Sequence, residues 1–480
     1  MALDPDTCYR ALRARDGRFD GVFYVAVTTT GIYCRPTCPA RTPARDRCEF
    51  FSRPAEAERR GYRACFRCRP ELAPGLASID SVPRLVRAAV ARIDAGYLNE
   101  HSLDELAAAL GVTARHLRRA VESELGVPPV ALAQTRRLAL AKLLLHDTRL
   151  SLTDVAFAAG FASVRRFNAL FQQRFGRPPS ALRREHGAGA AAAPYITLRL
   201  GYRAPLAFGA LLAFLRARAI PGVETIADGE YARSATLGDR TGWLAVRDDP
   251  ARHVIEARVA LALAPKLMEV AARLRALLDL DARPDLIAGH LLNDAALAPL
   301  VAAQPGLRVP GAFDGFELAV RGVVGQQVSV RAATTLCGRL AARFGAALAT
   351  GLPGLDRAFP DAAALASAPV AAIAAAGMPQ SRARTIVELA RAVASGRVDL
   401  ARGGAADATV AALLAVPGIG PWTAQYVALR GLSWPDAFPA GDLGIRRALG
   451  VTTARAAEQR AGAWRPWRAY AAMHLWSSLA

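Results

Sequence analysis

The segment Val416–Leu432 reads V-P-G-I-G-P-W-T-A-Q-Y-V-A-L-R-G-L, and F-P-A-G-D follows, ending at Asp442. Pro417-Gly418-Ile419-Gly420 has the composition of a tight turn, whose two glycines can take positive φ and bring the backbone close to a ligand. A helical pattern follows, with Trp422, Tyr426 and Leu429 at i, i+4 and i+7. Exposed N–H groups ahead of a helix N-terminus make a seat for a phosphate. Beyond the helix, Asp442 stands as a single carboxylate after the Gly441 turn. A Gly-rich linker with a surface Asp is the plainer reading, and P-G-I-G alone would favour it.

The whole stretch resembles the helix-hairpin-helix and catalytic Asp of base-excision DNA glycosylases, closest to the AlkA-like 3-methyladenine type. The resemblance extends back to Phe316–Val330 (F-E-L-A-V-R-G-V-V-G-Q-Q-V-S-V) and forward to Trp467–Trp476 (W-R-A-Y-A-A-M-H-L-W). Three separated motifs in the right order make it specific. It implies that Asp442 is catalytic and stabilises an oxocarbenium-like sugar, and that Trp422, Tyr426 and Trp476 form the base pocket. It implies DNA contacts at Gln326, Gln327, Gly418 and Gly420, and a monovalent cation held by hairpin carbonyls. Gln327 stands where relatives place a wedging leucine. An electron-rich pocket suits a cationic alkylated base, although any one aromatic on its own is more often core. A lyase needs an amine for a Schiff base. Bifunctional relatives carry Lys where this chain has Trp422, so a monofunctional hydrolase is expected. The four-cysteine iron–sulfur loop of some relatives is absent, since Cys337 is the only cysteine after Cys68.

At 480 residues the chain is too long for one core, and three or four domains are expected. A net charge of +20 suits a polyanion. It is spread along the chain, +11 over residues 1–187 and +9 over the rest, so it supports nucleic acid without singling out a domain. The start, M-A-L-D-P-D-T, has neither basic region nor apolar core, and no apolar run is long enough to span a bilayer. A cytoplasmic, nucleoid-associated protein without a membrane partner is therefore expected.

Six of the seven cysteines lie in the first 68 residues. Cys34-Arg-Pro-Thr-Cys38 and Cys65-Phe-Arg-Cys68 have the spacing of a tetrahedral zinc site made of four thiolates. Such sites are usually structural. The surrounding G-I-Y-C-R-P-T-C, C-E-F-F and G-Y-R-A-C-F-R-C resemble the N-terminal domain of the Ada adaptive-response family. That resemblance implies zinc held by Cys34, Cys38, Cys65 and Cys68, and methyl transfer from a DNA methylphosphotriester to Cys34. Cys8 and Cys48 read as buried free thiols. The P-C-H-R segment of the family's alkylguanine methyltransferase domain is absent, so repair of O6-alkylguanine is not expected.

An internal repeat follows. S-L-D-E-L-A-A-A-L-G (Ser102–Gly111) parallels S-L-T-D-V-A-F-A-A-G (Ser151–Gly160), and L-G-V-P-P-V-A-L (Leu125–Leu132) parallels F-G-R-P-P-S-A-L (Phe175–Leu182). Each unit opens with a capping signal, then a helix, a Gly turn and a second helix, the order of a helix-turn-helix. The second helices, near Ala114–Ser123 and Ser163–Phe175, carry Arg115, Arg118, Arg119, Arg165, Arg166 and Asn168 outward. Arg and Asn are residue types that read guanine and adenine edges. A plain helical bundle with solvated arginines is the alternative. The paired pattern resembles the AraC-type activator domain, which implies promoter DNA and RNA polymerase as partners.

The expected fold is multidomain: a small zinc-bound α+β domain over 1–76; an all-α duplicated helix-turn-helix domain over 78–187; a linker over 188–194; an α+β domain resembling the AlkA N-terminal domain over 195–282; and an all-α helix-hairpin-helix glycosylase domain over 283–480. Strands are expected at Ile196–Tyr202, Val223–Ile226, Tyr231–Ala235 and His253–Val259, and helices at Phe208–Ala219 and Pro265–Leu280. The expected function is alkylation repair with adaptive-response regulation. The rival is a transcription factor whose C-terminal half binds DNA without turnover.

Overall fold

The computed structural model describes residues 4–75, 83–185 and 195–479. The linker expected at 188–194 lies outside them. Two compact units share the chain: residues 1–204 with 249–272, and residues 205–248 with 273–480. Among the described residues no helix is long and apolar enough to cross a membrane.

The first unit opens with the helix Pro5–Ala14, capped by Asp4, whose carboxylate accepts from the Thr7 N–H at 3.0 Å. Four short strands then lie side by side in the order Cys48–Phe51, Tyr24–Val27, Ile32–Cys34, Arg63–Ala64, antiparallel except for the last pair. So small a sheet buries little apolar surface, and its cores are correspondingly small, around Phe23 and Val25.

Helices follow in two similar sets. Leu103–Ala109 starts at a capping box, in which Ser102 and Glu105 satisfy each other's backbone N–H groups. Gly111 turns the chain, and Thr113 caps the second helix, Ala114–Leu125. The second set repeats this with Ser151 capping Leu152–Ala158, then Gly160, then Ser163 capping Val164–Phe175. Each second helix buries one apolar stripe, Leu117, Val121 and Leu125 in the first, Phe167, Phe171 and Phe175 in the second. Burying each such side chain is worth about 1.5–3 kcal/mol. The long helix Pro129–Asp147 joins the two sets. It also grips the cysteine loop: buried Lys142 donates to the Cys65 carbonyl at 3.2 Å and pairs with Glu71 at 2.7 Å, while Arg69 pairs with Asp147 at 2.9 Å. The strands Tyr195–Gly201 and Val254–Ala260 pair antiparallel in this unit.

The second unit carries the helix Phe208–Arg216 and the antiparallel strands Glu224–Ala227, Glu230–Leu237 and Arg240–Asp249. Four expected strands are present, and Arg240–Asp249 is an additional one. Among the described residues thirteen helical segments, α or 3-10, follow from Pro284, and their core centres on Gly315–Val324, Val330–Phe344 and Gln380–Ala394. The helices Ala406–Leu414 and Pro421–Arg430 flank the P-G-I-G turn.

Candidate functional site

In the first unit the chain brings Cys34, Cys38, Cys65 and Cys68 together, with all four Sγ atoms within 4.8 Å of one another. Cys34 ends a strand, and Cys38 closes the following turn by donating its N–H to the Arg35 carbonyl at 3.1 Å. Arg35 donates its own N–H to Cys68 Sγ at 3.4 Å. None of the seven cysteines is in a disulfide. Four thiols so close contest their protons. Hydrogen bonds with Cys38, Cys65 and Cys68 hold the Cys34 thiol far above its ordinary range, while the bond with Cys34 pulls Cys38 down to about 7. A divalent ion among them removes the contest, because all four can then be thiolates. The donor set and its spacing therefore fit zinc. Cys38, Cys65 and Cys68 are buried, whereas Cys34 is half-buried and open to a reactant. Asp20, one of the residues that sequence reasoning missed, is buried and binds the Arg35 guanidinium next to Cys34, with Nε at 2.8 Å. Cys8 and Cys48 are buried free thiols, and burial raises both.

The arginines expected on the two second helices, Arg115, Arg118, Arg119, Arg165 and Arg166, are all exposed, opposite the buried stripes.

In the second unit Asp442 caps the helix Leu443–Ala448. Its Oδ1 accepts from the Ile445 N–H at 3.0 Å and from Trp476 Nε1 at 3.0 Å; its Oδ2 accepts from Trp422 Nε1 at 2.9 Å. Two indoles thus hold one half-buried carboxylate, with neither of them a cation. Tyr426 does not touch Asp442. It stacks on Trp422, with centroids 5.2 Å apart and planes within 11°, a pair worth about 0.5–1.5 kcal/mol beyond its buried area.

Gly418 sits at φ +88°, and a Cβ there would lie 2.0 Å from Thr385 Oγ1, so the turn requires glycine at this position. Gly420 has φ −97° and open space around it. The expectation of two positive-φ glycines is thus corrected to one, because the chain has already turned at Gly418. Gln326 Nε2 donates to the Gly418 carbonyl and to Thr423 Oγ1, both at 3.0 Å, joining the second motif to the hairpin. Gln327 is exposed at φ +56°.

Three further residues that sequence reasoning missed meet here, and of these only Arg430 had a local signal, four positions after Tyr426 on the same helix. Arg430 Nη1 donates to the Tyr426 hydroxyl at 2.7 Å, and the charge of Arg218 acts on the same hydroxyl. Both guanidiniums also cover Phe214, at 4.9 Å and 3.7 Å from its ring centre. Phe214 and Arg218 are about 200 residues from the hairpin, so no local pattern could have linked them to it.

Family models match along the chain: the metal binding domain of Ada over residues 7–71, a helix-turn-helix domain over 106–185, the AlkA N-terminal domain over 197–314, and the HhH-GPD superfamily of base excision DNA repair proteins over 320–461. Together they define a multidomain protein that joins an Ada-type zinc-binding domain and a helix-turn-helix to an AlkA-type helix-hairpin-helix half. The chain belongs to the family of bifunctional Ada–AlkA fusion proteins. It is 41% identical, over 100% of its own length and 97% of the relative's, to the "probable bifunctional transcriptional activator/DNA repair enzyme AlkA" of Mycobacterium tuberculosis. Over 58% of its length it is 38% identical to "DNA-3-methyladenine glycosylase 2" of Escherichia coli, of which it covers 95%. A 3-methyladenine DNA glycosylase from Archaeoglobus fulgidus, 22% identical, shares the fold over 58% of this chain and 97% of that one, with a TM-score of 0.51.

Proposed function

We propose that the protein repairs alkylated DNA and reports on it. It would be a monofunctional 3-methyladenine-type DNA glycosylase fused to a methyl-acceptor that switches a transcription activator. The observation that carries the enzyme reading is the Asp442 carboxylate held by the indole N–H groups of Trp422 and Trp476 beside the hairpin turn.

A base must leave the stack before chemistry on it. Gly418 and Gly420, with exposed backbone in the turn, anchor a phosphate, and a monovalent cation shared with hairpin carbonyls fits the same place. Gln326 and Gln327 lie at the duplex, Gln327 filling the gap. Trp422, Tyr426 and Trp476 receive the base. Asp442 stabilises positive charge on the sugar as the glycosidic bond breaks, then takes a proton from the attacking water. An alkylated purine leaves as a neutral base.

At the other end, Cys34, Cys38, Cys65 and Cys68 would hold zinc, which when bound would keep their sulfurs deprotonated. Cys34, the sulfur with access to solvent, takes the methyl group. Its S–C bond forms as the C–O bond of the methylphosphotriester breaks, and the phosphodiester leaves with the electron pair. Methylation removes one negative charge from Cys34, so the protein holds the DNA backbone more tightly. Arg115, Arg118, Arg119, Arg165 and Arg166 then read promoter DNA, with RNA polymerase as the partner of the activator. The domains run 1–76, 78–187, 195–282 and 283–480, with a linker at 188–194, and the protein works in the cytoplasm.

The test is incubation of the full chain with a duplex containing 3-methyladenine. Free base released with turnover supports the reading; tight binding with no release leaves a regulator that only binds DNA.

A further inference from the structure

We propose that Tyr426 donates a hydrogen bond to the departing base, aimed by Arg218 and Arg430, and that this widens the site to lesions that carry no positive charge. The inference rests on the glycosylase reading above.

The starting point is where the phenolic oxygen spends its acceptor capacity. Arg430 donates to it at 2.7 Å, and the Arg218 guanidinium adds a second positive charge close by. Neither guanidinium is free to swing away. Arg430 is buried, and its Nε and Nη2 donate to the Pro310 and Gly311 carbonyls at 2.7 and 2.9 Å. Arg218 donates Nη1 to the Phe214 carbonyl at 3.2 Å, and its guanidinium carbon lies 3.7 Å from the centre of the Phe214 ring. An oxygen that accepts from one guanidinium beside a second still has its own proton to give. Among the described residues no side chain or carbonyl accepts that proton. The ring carrying it is fixed against Trp422, whose indole is fixed to Asp442. The chain therefore presents an unspent donor at a set place on the wall of the base pocket.

Such a donor matters to some lesions more than to others. When the glycosidic bond breaks, its electron pair goes to the base. A base methylated on a ring nitrogen is cationic and leaves neutral. An uncharged damaged base leaves as an anion and must be given a hydrogen bond or a proton. The Tyr426 O–H supplies it, the phenolic oxygen takes up the negative charge between two guanidiniums, and solvent restores the proton. Water adds its oxygen to the sugar, and its proton goes to Asp442. The same two cations repel a cationic base across the ring and offset part of the attraction between that base and the aromatic wall. Arg218 and Arg430 act through Tyr426 and are positioning residues.

The charged groups around Tyr426 are Arg430 on its own helix, Arg218 after Phe208–Arg216, and Arg321 on Gly315–Val324, the last paired with Glu224 and Glu317. Burial pushes the phenol up, but these cations outweigh it and hold Tyr426 below the ordinary tyrosine range.

The test compares single-turnover base release by the full chain from duplexes containing ethenoadenine, which is uncharged, and 7-methylguanine, which is cationic. Tyr426→Phe keeps the ring and the stack and loses the hydroxyl, which is both the donor to the base and the acceptor of Arg430 Nη1; the second loss is common to both substrates, so the difference between them reads the donor. Release of ethenoadenine is expected to fall about 10- to 100-fold further than release of 7-methylguanine; equal losses overturn the proposal. A wild-type chain that releases 7-methylguanine but no ethenoadenine also overturns it, with the glycosylase reading intact. A chain that releases neither removes both. Arg218→Gln gives a second readout. The wild-type ethenoadenine rate falls at alkaline pH as Tyr426 ionises, and the variant moves that fall to higher pH. An unmoved fall overturns the part given to Arg218.

Discussion

Replacing Asp442 by Asn separates the charge of the carboxylate from its shape. The carboxylate accepts three hydrogen bonds, two on Oδ1 from Ile445 and Trp476 and one on Oδ2 from Trp422. Asn caps a helix as well as Asp does, so its carbonyl oxygen takes the Oδ1 position and keeps the first two. Its amide nitrogen then faces the Trp422 indole N–H, donor against donor. That mismatch costs about 1–3 kcal/mol, the penalty for a polar group left without its partner. The catalytic loss is larger. The negative charge that stabilises the sugar cation and accepts the proton of water is gone, and a group with either role is worth about 10²- to 10⁴-fold in rate. Asp442→Asn should therefore unfold only slightly earlier and still bind a lesion duplex, while releasing 3-methyladenine at least about 100-fold more slowly in single-turnover assays. Release within a few-fold of the wild-type rate would refute the reasoning, because the carboxylate would then be a helix cap and nothing more.

Other consequences are smaller and separately measurable. Cys34→Ser should bind zinc more weakly and show no methyl adduct by mass spectrometry after exposure to methylphosphotriester DNA, whereas wild type gains one methyl group on Cys34. Gly418→Ala forces a Cβ to 2.0 Å from Thr385 Oγ1 at φ +88°; it should cost roughly 1–3 kcal/mol in urea unfolding and weaken binding to any duplex. His474 is buried, and the loss of solvation pushes it down to about 4. The unfolded chain takes up the proton near the ordinary histidine value, so the folded form is favoured above about pH 6.5 and loses about 2–3 kcal/mol as pH falls from there through 4. His474→Met should flatten that decline in urea titrations between pH 7 and 4.5.

The cysteine cage was legible because its two pairs are local and thiolates at such spacing have few other uses. Asp20 and Lys142 were not legible. A lone acid or lysine reads as solvated surface, and only the fold shows Lys142 buried on the Cys65 carbonyl. The repeated helices were legible from capping residues and apolar periodicity: Ser102 and Ser151 cap as that pattern requires, and Thr113 and Ser163 add caps to the second helices. The strand Arg240–Asp249 escaped because Gly242 interrupts it and Leu244, Ala245 and Val246 are buried in succession, which leaves no polar–apolar alternation. At the excision site, Trp422 and Asp442 share one motif and could be read together. Arg430 follows Tyr426 by four positions on one helix and could have been read with it, whereas Arg218 and the Phe214 ring under both guanidiniums come in through tertiary packing, which a linear pattern does not encode.

The account rests on the Asp442 carboxylate facing the sugar of a flipped nucleotide, and the most direct measurement is a crystal structure of the protein on a duplex carrying a cationic pyrrolidine in place of that sugar. The account predicts the ring nitrogen about 3 Å from an Asp442 oxygen, at charge-assisted hydrogen-bond distance, with Trp422 and Trp476 still donating to the carboxylate. A nitrogen bound elsewhere, with Asp442 turned toward solvent, would contradict it.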